Sequence, residues 1–453
     1  MSQSLLESAI SVAKLVSCYE LRGTVTDMTG LIIEGTGPFV PVGSQVTVHS
    51  GTERIPAQVV GFRSDRILIM PFGEMQGISP GATIIASEGS TDVRVSEALL
   101  GRVIDAMGDP IDGEPLPIMT ESVPLYREPP NPVTRTRISE CFDVGVRAIN
   151  TNLTLGVGQR MAIMAGSGVG KSTLLGMIAK HSASEVNVIA LVGERGREVR
   201  EFIERDLGPE GLKRSIIVVA TGNQSSLLRI RAALLATSIA EFFRDKGKRV
   251  VLMVDSVTRL AMAQREIGLA VGEPPSTRGY TPSVFSLLPK LLERAGTSDG
   301  RGSITALYTV LVEGDDMNEP IADTVRGIVD GHIVLSRRLA GKGHFPAIEI
   351  LQSVSRVMSD IAPEVVTRLA AEVRDILATY QETEDLITIG AYKPGQNKRV
   401  DRAVALIDKV TAFLRQRSVE RTGLEEGWQY ISQLLRAPIA IEGQSPGEPA
   451  TRA

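Results

Sequence analysis

Residues 162–173, AIMAGSGVGKST, set three glycines, a lysine and two hydroxyls at a spacing suited to holding a polyphosphate. Gly166, Gly168 and Gly170 let the backbone curl until several N–H groups point at one centre, at a helix start where partial positive charge collects. Ser167, Val169 and Thr173 complete the cradle. Lys171 is placed to reach β- and γ-phosphates, and the Ser172 hydroxyl to ligate Mg²⁺. The first motif position is Ala165 where glycine is usual, and alanine is small enough for the same tight turn. A glycine-rich strand-to-helix turn without a ligand is the alternative. The Lys-Ser pair in register and the apolar flank before it favour a nucleoside triphosphate.

Hydrolysis needs a group to orient water and groups to neutralise charge on the transferring phosphoryl. The apolar run 186–192 ends in Gly193-Glu194-Arg195-Gly196-Arg197-Glu198, one right-handed crossover beyond the cradle, which predicts Glu194 beside the γ-phosphate as the base that polarises water. Taken alone, those charges also read as an ordinary turn. Arg249–Asp255, RVVLMVD, is a buried strand ending in an acid, so Asp255 is the expected holder of Mg²⁺, with Arg259 one helical turn later a weaker candidate. Glu313-Gly314-Asp315-Asp316 also falls at a strand end and suits turn chemistry.

The elements that must carry these groups alternate between strand-like and helical. From about residue 138 to 358, apolar runs at 160–164, 186–192, 215–220, 250–254, 304–311 and 332–335 alternate with helical segments, predicting an α/β domain with a mainly parallel sheet and its ligand at the carboxyl ends of the strands. Residues 19–95 carry short β-branched runs between Gly, Pro and Asp turns and predict a small β-barrel. Residues 96–137 read as a connecting segment of the domain 96–360, closing on the proline cluster Glu128-Pro129-Pro130-Asn131-Pro132. A helical domain is expected over 361–438 and a disordered tail over 439–453. Residues 1–18 predict an amphipathic helix that packs on its own domain or docks on a partner. The fold class is therefore multidomain α/β: an N-terminal β-barrel, a central P-loop domain and C-terminal helices.

Composition excludes several classes. A chain of 453 residues with 43% hydrophobic and 23% charged residues reads as globular and multidomain. Its net charge of −4 argues against a nucleic-acid partner. Two cysteines, Cys18 and Cys141, offer no disulfide framework, and with four histidines they compose no zinc site, so a metal is expected to arrive with the nucleotide. No apolar run is long enough to span a bilayer, and Glu7 interrupts what would be a signal-peptide core.

AGSGVGKS, GERGREV, DSVTR and DGHIVLSRRLA together resemble the RecA-like rotary ATPases. The resemblance extends to the barrel, to GRVIDAMGDPIDG and to the helical C-terminus. Within that superfamily, MAQREIGLAVGEPPSTRGYTPSVF (262–285), GSITALYTVLVEGDDMNEPIAD (302–323) and GHFPAIEI (343–350) are similar to type III secretion ATPases, with wording nearest the flagellar export branch. The resemblance implies that Glu194 is the catalytic glutamate and that Lys171, Ser172 and Asp255 hold phosphate and Mg²⁺. It implies that Arg356 is an arginine finger reaching a neighbour's site and that Phe345 stacks on adenine, where relatives often carry Tyr. It further implies ATP as substrate, a homohexamer and a central stalk protein against loop Glu273–Pro282. The remaining implied partners are an export-apparatus regulator on the N-terminal helix, export-gate membrane proteins and chaperone–substrate complexes. The implied location is cytoplasmic, peripheral at the inner face of the cytoplasmic membrane. The segment Gly390–Arg399 is basic where the ATP synthase catalytic subunit has an acidic helix-turn-helix.

Four other readings compete with flagellar export: an injectisome secretion ATPase, an ATP synthase subunit, a hexameric helicase and a non-enzymatic nucleotide-binding subunit. Phe62 and Phe72 are isolated and Arg63 and Arg66 are the only clustered cations near them, which is not the stacking strip that RNA binding needs. Glu194 argues against the non-enzymatic reading.

Overall fold

The computed structural model describes residues 20–87, 91–300, 302–312, 314 and 316–436. The expected N-terminal helix and C-terminal tail, and with them Glu313 and Asp315, lie outside the described residues.

Six strands, β1 (Arg22–Thr29), β2 (Ile32–Gly35), β3 (Gln45–Ser50), β4 (Glu53–Arg63), β5 (Arg66–Pro71) and β6 (Thr83–Ala86), close into a barrel of order β1-β2-β5-β4-β3-β6. Alternation drives it. In β3, Val46, Val48 and Ser50 point inward, and Val46 and Val48 join Ile33, Ile67 and Ile84 in the barrel core. The sixth strand, unmarked in the sequence reading, closes the barrel by pairing with both β1 and β3. Asp92–Val95 (β7) is not a barrel strand. It pairs with β9 (Glu121–Pro124).

The central domain is built on a nine-stranded sheet. Its strands are β8 (Val103–Asp105), β12 (Arg160–Ala165), β13 (Val186–Val192), β14 (Ser215–Ala220), β15 (Arg249–Asp255), β16 (Gly296–Thr297), β17 (Ser303–Leu311), β18 (Gly331–Leu335) and β19 (Val354–Ser355). The small pair β10 (Cys141–Phe142) and β11 (Leu155–Gly156) lies apart from it. The main order is β19-β18-β12-β17-β15-β13-β14-β8. Only β16 and β19 run antiparallel to their neighbours. β13 is buried along its whole length, as expected of a parallel strand covered on both faces. The segment read as a connector contributes β8, which pairs with β14 at the edge of this sheet. It is only three residues long, too short for periodicity to reveal.

The helices used below are α1 (Lys171–His181), α2 (Ser226–Asp245), α3 (Val257–Val271), α4 (Pro282–Leu292), α5 (Pro320–Ile328), α6 (Glu364–Thr388), α7 (Lys398–Leu414) and α8 (Leu424–Arg436). The last three form the C-terminal helical region. It is fastened to the central domain by Trp428, whose indole N–H donates to Asn150 O at 2.9 Å, and by Arg147, whose guanidinium lies 5.5 Å from the Phe413 ring. The barrel is tied down by Ser225, which caps α2 and donates its hydroxyl to Phe72 O at 2.8 Å. Leu125 is anchored by Arg294, which donates to its carbonyl while pairing with Glu241 in a fully buried ion pair at 2.6 Å.

Candidate active site

The cradle follows β12 directly. Gly168 and Gly170 adopt φ of +76° and +91°, in the left-handed region that a side chain makes costly, and Gly170 caps α1. Gly166 is bare for a different reason. A Cβ there would lie 2.7 Å from the Arg337 guanidinium, which rests against this turn. Arg337 follows β18, the strand parallel to β12 on its other side, so the sheet itself brings the arginine to the loop.

Lys171 opens α1 and points between two carboxylates. Its Nζ donates to Glu194 Oε1 at 3.1 Å and to Asp255 Oδ1. Burial works against the ammonium, but the charges of Asp255 and Glu194 outweigh it and raise its pKa above the ordinary lysine value. The lysine therefore stays cationic at neutral pH. Both acids are buried, Glu194 at 7% and Asp255 at 2% exposure. Asp255 also accepts the Thr309 hydroxyl at 2.6 Å, from β17 alongside.

The single crossover β12–α1–β13 spans two intervening strands. β13 is not next to β12; β17 and β15 lie between them. Glu194 nevertheless reaches Lys171 because it sits past the strand end, after a turn at Gly193 (φ +72°). That turn is packed under Arg259, since a Cβ on Gly193 would meet the Arg259 side chain at 2.5 Å. Arg259 Nε lies 3.8 Å from Glu194 Oε1 and is buried without a hydrogen-bond partner.

Ser172 stands on the first turn of α1 and Asp255 at the end of β15, and their oxygen-bearing side chains are of the kind that suits Mg²⁺. Arg259 Nε, beside Glu194 but without a hydrogen bond, suits an anionic oxygen. The residues present thus fit a magnesium nucleotide.

Phe345 is half-exposed and its ring edge comes within 3.5 Å of where a Gly170 Cβ would be. It lines an open cleft of about 580 Å³ with Thr173, Met177, Pro346 and Gln416. An aromatic face beside the start of α1 can stack a base.

Arg356 is placed elsewhere. β19 pairs with the beginning of β18, and the Arg356 N–H donates to Asp330 O at 2.9 Å. The cradle emerges level with Leu335, at the other end of β18. At about 3.3 Å per residue the two ends are on the order of 13 Å apart. The exposed guanidinium donates to Arg326 O at 3.1 Å and does not join the cluster at Lys171.

Sequence reasoning missed Thr309 and Arg337. A polar residue in the middle of the buried run SITALYTVL was a signal for the first. Nothing local marked the second, because its contact with Gly166 depends on which strand flanks β12.

A glycine cradle, a lysine between two buried carboxylates and a mainly parallel sheet delivering all of them to one edge define a P-loop ATPase. Residues 27–88 match the β-barrel domain and residues 145–355 the nucleotide-binding domain of the ATP synthase alpha/beta family, and residues 362–433 match the C-terminal domain of the T3SS EscN ATPase. The chain belongs to the type III secretion branch of this family. It is 54% identical to the flagellum-specific ATP synthase of Bacillus subtilis over 94% of this chain and 98% of that one. It is 46% identical to the type 3 secretion system ATPase of Sinorhizobium fredii over 95% of each. Assembled EscN from the enteropathogenic E. coli type III secretion system superposes with a TM-score of 0.87, at 44% identity, covering 91% of this chain and all of that one. EscN in complex with its central stalk EscO superposes with a TM-score of 0.85, at 43% identity and the same coverage.

Proposed function

We propose that this chain hydrolyses ATP, as its magnesium complex, to ADP and phosphate within a homohexameric ring, and that the ring energises type III export of flagellar proteins. The observation that carries the reading is the division of the catalytic groups. Lys171, Glu194 and Asp255 converge at one edge of the sheet, and Arg356 stands exposed at the opposite edge. A ring of identical subunits lets each Arg356 complete the neighbouring site.

In that ring the turn Gly166–Gly170 wraps the phosphates with its N–H groups, and Lys171 supplies a fixed positive charge to the β- and γ-phosphates. Ser172 and Asp255 would hold Mg²⁺, which neutralises phosphate charge when bound. Glu194 accepts a hydrogen bond from water and aims it at phosphorus, while Arg259 balances the charge beside it. Arg356 of one subunit stabilises the charge that develops on the transferring phosphoryl in the next. Phe345 stacks on adenine.

The proposed partners are a central stalk protein at loop 273–282, a regulator on residues 1–18, export-gate membrane proteins and chaperone–substrate complexes. The stalk is supported by EscN's complex with EscO. Among the described residues no helix is long and apolar enough to cross a membrane, which is compatible with peripheral attachment at the cytoplasmic face.

The test is complementation. Glu194→Gln subunits keep their finger and Arg356→Ala subunits keep their acid, so each alone is expected to be inactive and the mixture to recover turnover at hybrid interfaces. Absence of recovery, in mixtures shown to form rings, overturns the shared site. The match to EscN and to the Sinorhizobium protein favours injectisome secretion as the second reading. Lys171→Ala in the native host separates them: lost motility with effector secretion intact supports flagellar export, and the reverse supports the injectisome.

A further inference from the structure

Helix α5 is gripped at both ends. At its C-terminal end the Arg326 carbonyl accepts from Arg356 Nη2 at 3.1 Å. At its N-terminal end Glu319 is the cap: one carboxylate oxygen accepts from Ala322 N at 3.2 Å and the other from the Tyr280 hydroxyl at 3.3 Å. Both Tyr280 and Glu319 are buried. One turn earlier, Asp316 pairs with Arg278 at 2.7 Å, and its carbonyl accepts from Glu319 N. Arg278 holds φ of +53°, a conformation that costs an L-residue about 1–2 kcal/mol and marks a backbone constrained by its contacts.

Between these grips α5 is a rod. Ile321, Ala322 and Val325 are fully buried on one face, and the nine residues span about 13 Å at 1.5 Å per residue. A close-packed helix moves as a unit, so a shift imposed on Glu319 reaches the Arg326 carbonyl. The loop after α3, from Gly272 to Thr281, therefore holds the far end of the element on which the Arg356 guanidinium rests.

We infer that Tyr280 and Glu319, assisted by the Arg278–Asp316 pair, are positioning residues for Arg356, setting through α5 the place of the finger that a subunit offers its neighbour. The inference rests on the in-trans role of Arg356 proposed above. It makes the loop 272–281 a point of regulation, because a partner that displaces it alters the adjacent subunit's site.

The test exploits direction. Rings are mixed from Glu194→Gln subunits, which donate fingers, and Arg356→Ala subunits, which hold sites without one. Tyr280→Phe placed in the donor is expected to lower the recovered kcat roughly three- to tenfold with KM for ATP unchanged. Placed in the Arg356→Ala subunit it is expected to leave the rate unchanged. Arg278→Gln, on an exposed pair, repeats the comparison where Tyr280→Phe fails to assemble. Equal effects in the two placements, or no effect in either, overturn the positioning role while leaving the finger intact. No recovery before either substitution is added removes the finger assignment and this inference with it.

Discussion

The two edges of the central sheet are built in opposite ways. At the carboxyl edge, the part-buried Lys171 bonds to both Glu194 and Asp255, which are buried, and Thr309 adds a further contact to Asp255. At the amino edge, Arg356 is exposed and, among the described residues, bonds to backbone alone: its own N–H to Asp330 O, and its guanidinium to the Arg326 carbonyl. A buried cluster is preorganised, since its members need not reorient when charge develops. An exposed arginine on one neutral acceptor is free to exchange that partner for a stronger, charged one. On the proposed reading, the first edge is half a site made rigid within the chain, and the second is half a site that another subunit completes.

The sharpest way to break this comparison is to remove the finger. Arg356→Ala is expected to cut steady-state turnover by roughly 10³-fold or more, as loss of an arginine finger does, without changing ATP affinity in an equilibrium binding assay. A variant that loses affinity instead would place Arg356 in its own subunit's cradle. Next, Glu194→Gln removes the proposed base and keeps the shape. Hydrolysis is expected to fall by about 10²–10⁴-fold with nucleotide binding retained, measured as single-turnover rate against binding of a labelled nucleotide. Turnover near the parent's would assign the water to another group.

Phe345→Ala tests the base-binding end of the rigid edge. Loss of a stacking face worth about 1–3 kcal/mol is expected to raise KM for ATP by about five- to 150-fold, with kcat little changed, whereas Phe345→Tyr keeps the ring and stays near the parent. A drop in kcat alone would remove Phe345 from base binding.

The smallest expected effect is on pH-dependent stability near that cleft. His344 is buried, and burial, with the nearby Arg415 charge, lowers its pKa to about 4. Between pH 4 and about 6.5 the unfolded chain binds a proton there and the folded chain does not, so this residue's contribution is present above pH 6.5 and is lost as pH falls toward 4. Melting curves across that window are expected to show a shallower acid loss for His344→Gln than for the parent. An identical slope would mean His344 titrates alike folded and unfolded.

Much of the fold and site was legible along the chain because those features are local. The cradle's residue types and the apolar runs at 160–164, 186–192, 215–220 and 250–254 are written in neighbouring residues. The pattern of short β-branched runs likewise announced a barrel, although its sixth strand, Thr83–Ala86, lay hidden among turn residues. The three-residue β8 gave no periodic signal at all.

By itself, the sequence determined that a triphosphate cradle exists and that two strand-ending acids, Glu194 and Asp255, belong to the same α/β domain. Only the tertiary structure decided how those groups meet. It placed β17 and β15 between the cradle and Glu194, then closed the gap with a turn past the end of β13. It set Arg337 against Gly166 and put Arg356 at the far edge with its guanidinium on the Arg326 carbonyl. The physical reason is one of range. Backbone propensity and burial periodicity act over a few residues, whereas strand order and the direction a side chain faces are settled by packing between segments more than a hundred residues apart.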